Sequence, residues 1–230
     1  MDFLLQIDRQ LLLLFNGSNS LFIDGMAATL TSTLTWVPLY ISLFWLVMRN
    51  NENVRQIFMV VLTCALCFLL SDGFAEGIVK PLVARLRPCQ DPTFKMFVDT
   101  VKGICPRDYS FFSAHASNTF SIAVFFSLLV RQRTFTVFMV SWSLVNCWTR
   151  LYLGVHFPSD ILVGLIWGAI VGVGVYIFYV RFSNLVDSKL NYVSSHYTPT
   201  GYVLADLNVV YTVLILTCIY AVFRSLIIAF

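Results

Sequence analysis

Two long stretches of this chain contain no charged side chain: the residues between Asp24 and Arg49, and those between Asp160 and Arg181. Each reaches the roughly 20 residues that an α-helix needs to cross a hydrocarbon core about 30 Å thick. Soluble domains carry about 25% charged residues, whereas this chain has 12%, with 58% hydrophobic. Runs such as 57–70 and 161–180 are continuously apolar, where the strands of a membrane barrel would alternate apolar and polar residues. These features exclude disorder and a secreted disulfide scaffold. The formal charge of +3 is too small to argue for nucleic acid as a partner.

Hydropathy places six helices at about 26–48, 57–79, 115–131, 134–152, 158–180 and 207–229. The expected fold class is therefore all-α: an integral membrane protein built as a bundle of six transmembrane helices, in a single domain over residues 1–230. Residues 3–15 are apolar but short and include Asp8 and Arg9, which suits an interfacial helix lying on the membrane rather than a seventh span. Asp2 and Asp8, without a basic flank, argue against a cleavable signal peptide. The polar stretch from about Ser183 to Asp206 is expected to be a loop.

An even number of crossings puts both ends of the bundle on one side. The short turns with Arg49, Arg55, Arg131, Arg133, Arg181 and Lys189 are expected to be cytoplasmic, because setting aside Lys80, Arg87 and Arg150 for chemistry leaves the basic residues of the opposite side sparse over a long loop. The loop 80–114 would then face outward. Cys64, Cys67, Cys147 and Cys218 fall within predicted helices and suit core packing. Cys89 and Cys105 share the long polar loop and are disulfide candidates if it meets an oxidising compartment, where closing a loop of about 15 residues is worth about 3 kcal/mol.

Ionisable residues near a membrane span need a reason, and here they gather in three segments that such a topology brings to one side. Lys80 and Arg87-Pro88 end the second helix, Ser113-Ala114-His115 open the third, and Arg150, His156 and Asp160 join the fourth to the fifth. Three fixed cations at a membrane boundary call for an anion, and the arginine fork matches the oxygens of a phosphate. A helix starting near Ser113 adds free backbone N–H groups aimed at the same place. His156 and Asp160 stand four residues apart, so the carboxylate can hold one imidazole nitrogen while the other stays basic and aimed. That is the orienting logic of a catalytic triad with histidine as the attacking group, and His115 is a candidate proton donor to the departing oxygen. Arg85 is either a phosphate contact or a headgroup contact. Asp72, Glu76 and Lys80 lie on one helical face, where Glu76 either pairs with Lys80 or belongs to a structural polar stripe. Gly164, Gly168 and Gly172 form a small-residue ridge, for packing inside the bundle or for a dimer seam.

In order and spacing these segments resemble the signature of the type 2 phosphatidic acid phosphatase (PAP2) superfamily: KxxxxxxRP, PSGH and SRxxxxxHxxxD. Lys80, Arg87 and Pro88 match the first in full. In the second, Ser113 and His115 match while Phe112 and Ala114 stand for proline and glycine. In the third, Arg150, His156 and Asp160 match while Thr149 stands for serine. The resemblance covers about 57–180 and implies that His156 attacks phosphorus to form a phosphohistidine, with Asp160 orienting it. His115 is implied as general acid and then base, and Lys80, Arg87, Arg150, Ser113 and the Ala114 amide as the phosphate cradle. It implies no metal and no cofactor.

The function the residues and the resemblance together imply is hydrolysis of a lipid phosphate or diphosphate at the outer face of a membrane, and analogy with the family favours a bacterial inner membrane and undecaprenyl diphosphate as the first substrate to consider. A lipid A phosphatase and a phosphatidylglycerophosphate or phosphatidate phosphatase are the alternatives. A phospholipid transporter or binding protein using the cations without chemistry is a rival of another class, as is a transferase in which an alcohol replaces water. Membrane lipids and a homo-oligomeric partner complete the expected interactions.

Overall fold

The structure is a computed structural model and describes residues 2–183 and 195–229. The expected loop 183–206 lies partly outside these residues, as does Lys189. Nine α-helices are present among the described residues: α1 Asp2–Phe15, α2 Leu21–Leu30, α3 Val37–Asn50, α4 Val54–Phe68, α5 Lys80–Val83, α6 Ala114–Val130, α7 Arg133–Tyr152, α8 Pro158–Ser183 and α9 Leu204–Ala229. Among the described residues the one β feature is an isolated bridge between Tyr197 and Val203. The all-helical class is as expected.

Among the described residues, three helices are long and apolar enough to cross a membrane: Val54–Val83, Pro158–Ser183 and Leu204–Ala229. A fourth arises if Leu21–Leu30 and Thr33–Asn50, bent by 68°, are counted as one broken span. The break falls in a run of Thr and Ser that the hydropathy pattern had placed inside a continuous helix. Its freed carbonyls are satisfied locally, since Thr35 Oγ1 donates to Thr29 O at 2.7 Å and Trp36 Nε1 donates to Leu30 O at 2.7 Å. Helix α6 is apolar but only 17 residues long. Helix α7 has 20 residues and turns Ser143, Asn146 and Thr149 into the interior, so its average apolarity is diluted by polar groups that never meet lipid.

Local caps set the helix starts. Asn53 Oδ1 accepts the Arg55 N–H before α4, Ser113 Oγ accepts the Ala116 N–H at the head of α6, and Gln132 Oε1 accepts the Phe135 N–H before α7. The long helix Val54–Val83 passes through two π-turns, Leu69–Gly73 and Ala75–Val79, just before Lys80. Such turns shift the face that a helix presents and are frequent next to functional groups.

The packing that positions the site is between α6 and α8. A Cβ on Gly164, Gly168 or Gly172 would lie 2.7 Å from the carbonyl oxygen of Ser113, Ser117 or Ser121 respectively, so bare glycine lets α8 lie directly on the backbone of α6. The ridge therefore serves close packing inside the bundle. The same contact brings the head of α8 to the head of α6, where Ser113 N–H donates to Asp160 O at 3.1 Å. Gly168→Ala should destabilise the protein by about 1–3 kcal/mol, because the added methyl meets backbone rather than a movable side chain. Gly174→Ala is the control, since nothing lies within 4 Å of a Cβ there; thermal unfolding in detergent should show a lower Tm for the first and none of that loss for the second.

Candidate active site

The three motif segments converge at the ends of α5, α6, α7 and the start of α8. Lys80 sits in the last turn of the long helix, and a left-handed residue, Ala84 (φ 48°), then turns the chain so that Arg85 and Arg87 fold back over the bundle. Arg150 occupies the last turn of α7. A turn over 153–157 follows, in which Gly154 has φ +65° and a Cβ would collide with Val98 and crowd Asn16 Nδ2 at 2.9 Å, so that position accepts glycine alone. The turn delivers His156 to the centre and Asp160 to the first turn of α8.

Lys80, Arg87, Arg150, His156 and Asp160 are all buried. Arg87 is the hub. Its Nη1 donates to Val155 O at 2.9 Å and lies 3.1 Å from His156 Nε2; its Nε donates to Asp108 O at 3.0 Å and its Nη2 to Asp108 Oδ2 at 2.6 Å. A guanidinium has no lone pair to offer, so Nε2 of His156 faces it as acceptor and the ring proton belongs on Nδ1. That nitrogen is buried without a hydrogen bond and lies 3.6 Å from Asp160 Oδ2, just beyond bonding distance. Burial pushes the His156 imidazole down to about 4, with Asp160 raising it and Arg87 lowering it further, so the ring is neutral at physiological pH.

Asp160 is held from both sides: Arg85 Nη1 donates to Oδ1 at 2.7 Å and the Phe157 N–H donates to Oδ2 at 2.9 Å. Both sequence readings of Arg85, as phosphate contact and as headgroup contact, give way to this pairing, which the spacing of the motif did not reveal. The pairing of Glu76 with Lys80 is present, at 2.5 Å, and Asp72 instead accepts from Asn118 Nδ2 at 3.1 Å.

Asp108 escaped notice in the sequence because nothing in its neighbourhood marks it. Its carboxylate bridges Lys80 Nζ at 2.8 Å and Arg87 Nη2 at 2.6 Å. Burial opposes its charge, but the hydrogen bonds and charges of those two cations outweigh that and hold its carboxyl far below the usual carboxylate range. Arg150 is the contrasting case. Its Nη2 reaches Thr31 O at 3.4 Å and its Nε is buried without a partner, an arrangement that leaves donors and charge free for an anion.

Ser113 is buried and uses its hydroxyl as the N-cap of α6. Ala114, where the family motif has glycine, opens α6 with right-handed helical backbone, so its Cβ imposes no strain on the amide. His115 is exposed one residue further on, within electrostatic reach of Arg150, His156, Lys80 and Arg87. Cys89 and Cys105 are joined by a disulfide with their Cα atoms 6.1 Å apart. Cys67 and Cys147 are buried among apolar neighbours.

The model of the PAP2 superfamily matches residues 61–184. A lipid A 4'-phosphatase of Bacteroides thetaiotaomicron is 37% identical over 181 residues, covering 77% of this chain and 78% of the relative. A lipid A 4'-phosphatase of Porphyromonas gingivalis is 33% identical over 182 residues, 78% of this chain and 76% of the relative. A decaprenylphosphoryl-5-phosphoribose phosphatase of Mycobacterium tuberculosis is 39% identical over 95 residues, 41% of this chain and 48% of that protein. No solved structure matches the chain.

Proposed function

This chain belongs to the PAP2 superfamily and is a phosphatase, and from that premise we propose that it removes the 4'-phosphate of lipid A or of a closely related lipid phosphomonoester at a membrane surface. Similarity to two lipid A 4'-phosphatases over more than three quarters of the chain supports this substrate ahead of undecaprenyl diphosphate, which analogy with the family had put first. The transporter and binding-protein readings fall away with membership of a family of phosphatases.

The observation that carries the mechanism is the presence of two unlike groups within electrostatic reach of each other: His156 with its Nε2 lone pair against Arg87, and Arg150 with a buried Nε that has no partner among the described residues. A phosphate entering there gives Arg150 its missing acceptor and draws the Arg87 guanidinium from Nε2 to a phosphoryl oxygen, which frees the lone pair to attack phosphorus. Positive charge then develops on the imidazole, and Asp160 closes from 3.6 Å to hydrogen-bonding distance of Nδ1–H. His115 gives a proton to the leaving alcohol as the P–O bond breaks and takes one from the water that opens the phosphohistidine. Lys80, Arg87, Arg150 and the amides at the head of α6 carry the charge of the transferring group.

The topology we propose has six spans: the broken pair α2 and α3, the long helix Val54–Val83, then α6, α7, α8 and α9. Helix α6, buried along most of its length, suits an inner position where neighbours rather than lipid cover it. Helix α1 then lies on the membrane, and the site and the disulfide face outward, in a bacterium the periplasmic side of the inner membrane, where a disulfide persists.

The test is a panel of lipid A, undecaprenyl diphosphate, phosphatidate and phosphatidylglycerophosphate with one purified preparation. We expect kcat/KM for lipid A to exceed the others by about tenfold or more, the scale that differential binding in a lipid site supplies. Equal rates on all four would remove lipid A as the preferred substrate, and transfer of phosphate to an added alcohol in place of water would mark a transferase.

A further inference from the structure

Helix α1 lies outside residues 61–184, the part matched to the superfamily, yet it touches several of the segments that build the site. Arg9 Nη2 donates to Asp91 Oδ2 and to Thr93 Oγ1, each at 2.7 Å, and Leu12 packs with Phe94 and Phe157. Asn16, just beyond the helix, donates to Tyr152 O at 2.8 Å. The contact with chemical consequence is made by Asp8. It is buried, its Oδ1 accepts the Ser159 N–H at 2.9 Å, and its Oδ2 accepts from Ser159 Oγ and from Arg85 Nη2, both at 2.5 Å.

The other arm of the same guanidinium goes to Asp160 and Ser159 Oγ at 2.7 Å each, with Arg85 Cζ 4.0 Å from the Phe157 ring centroid. One cation is thus shared between two carboxylates, and the second of these is the one that faces His156. The sharing matters for the reaction. An arginine committed wholly to Asp160 would neutralise the carboxylate that has to stabilise a developing imidazolium. Asp8 draws part of the Arg85 charge and fixes both arms of its fork.

We propose that Asp8 is a positioning residue for the His156–Asp160 pair, acting through Arg85 and Ser159, so that α1 is a working part of the site and more than a membrane anchor. The proposal rests on the reading of His156 as nucleophile. Asp8→Asn keeps the size of the side chain and removes the charge. It should lower kcat for lipid phosphate about 10- to 100-fold, the usual cost of losing a group that orients an imidazole from outside, with KM changed far less. Asp8→Glu should recover part of that loss.

Arg9→Gln, which breaks the neighbouring tie of α1 to Asp91, should keep kcat close to wild type, separating positioning from simple docking of the helix. A second readout needs no substrate: the NMR titration of the His156 imidazole, followed among the three histidines of the chain. Asp160, Arg87, Arg150 and His115 face this ring and are unchanged in the variant, so its midpoint should move to lower pH in Asp8→Asn as Arg85 settles fully on Asp160. Should Asp8→Asn fail to fold, Ser159→Ala removes the hydroxyl between Asp8 and Arg85 and should show both changes in smaller measure.

Unchanged kcat together with an unmoved His156 midpoint in the folded variant would overturn the proposal, as would an equal loss in Arg9→Gln. If wild type releases no phosphate from any lipid, the functional reading fails by itself, and the midpoint still decides the role of Asp8.

Discussion

His156→Ala should reduce phosphate release from lipid phosphate to background, a loss on the order of 10⁴- to 10⁶-fold in kcat of the kind that follows removal of a nucleophile from a site whose groups act as a unit. The same variant should still fold and bind substrate, because the cations remain and the ring removed accepts at most one hydrogen bond, at 3.1 Å from Arg87. Single-turnover assays on purified protein would check it, with the acid-stable and acid-labile phosphate on the protein counted separately. Release at the wild-type rate would remove His156 as nucleophile.

The pH profile gives an independent check. Burial leads the effects that push the His156 imidazole down to about 4, below an unfolded value near 6.5. The neutral, attacking form therefore persists through neutral pH and well into the acid range. The limb of kcat/KM that belongs to this ring should fall about tenfold per pH unit only below about pH 4. The sign for stability runs the same way: the preference for a neutral ring stabilises the fold above pH 6.5, and this contribution disappears as pH falls towards 4.

The second large effect is expected at Arg87, and the contrast with Arg150 is what makes it informative. Arg87 makes three hydrogen bonds to Asp108 and Val155 in addition to its approach to His156. A lysine there offers one ammonium in place of a planar fork, so Arg87→Lys should lower kcat/KM by about 10²- to 10³-fold, the scale for losing a donor to a developing charge. It should lower Tm as well, since the carbonyls of Asp108 and Val155 lose their donors. Arg150 is buried, and among the described residues its hydrogen bonding to the protein is a 3.4 Å bond to Thr31 O. Arg150→Met should therefore abolish activity to a similar degree while leaving Tm unchanged or raised, because an underpaired buried cation is replaced by an apolar chain of similar length. Parallel activity and thermal unfolding series would reveal the difference; matching losses of Tm in both variants would mean that Arg150 is structural.

Much of the active-site composition was written locally. The four-residue spacing of His156 and Asp160, the interval from Lys80 to Arg87, and the capping serine before His115 are short-range relations, and the turn at Ala84, the turn over 153–157 and the starts of α6 and α8 convert them into positions in space. The glycine ridge was legible as periodicity, though its choice between bundle packing and a dimer seam was not; the 2.7 Å approach to the backbone of α6 decided it. Arg85 illustrates the opposite limit. Its place inside the first motif said that it was near phosphate chemistry, but its partners Asp8 and Asp160 lie 77 and 75 residues away along the chain. The break between α2 and α3 was missed because hydropathy averages over a window and does not register carbonyls satisfied by Thr35 and Trp36.

The sequence by itself determined that this chain is helical and apolar enough for a membrane, and which residues are candidates for the phosphate chemistry, because charge-free length and motif spacing are properties of neighbouring residues. Only the tertiary structure decided which ions pair with which: Asp108 with Lys80 and Arg87, and Asp8 with Arg85 behind Asp160. A buried cation gains from a counter-charge, and the sequence offers more than one carboxylate for Lys80, Arg85 and Arg87. The choice among them is made by how α1, α6 and α8 pack, and packing is a property of the whole chain.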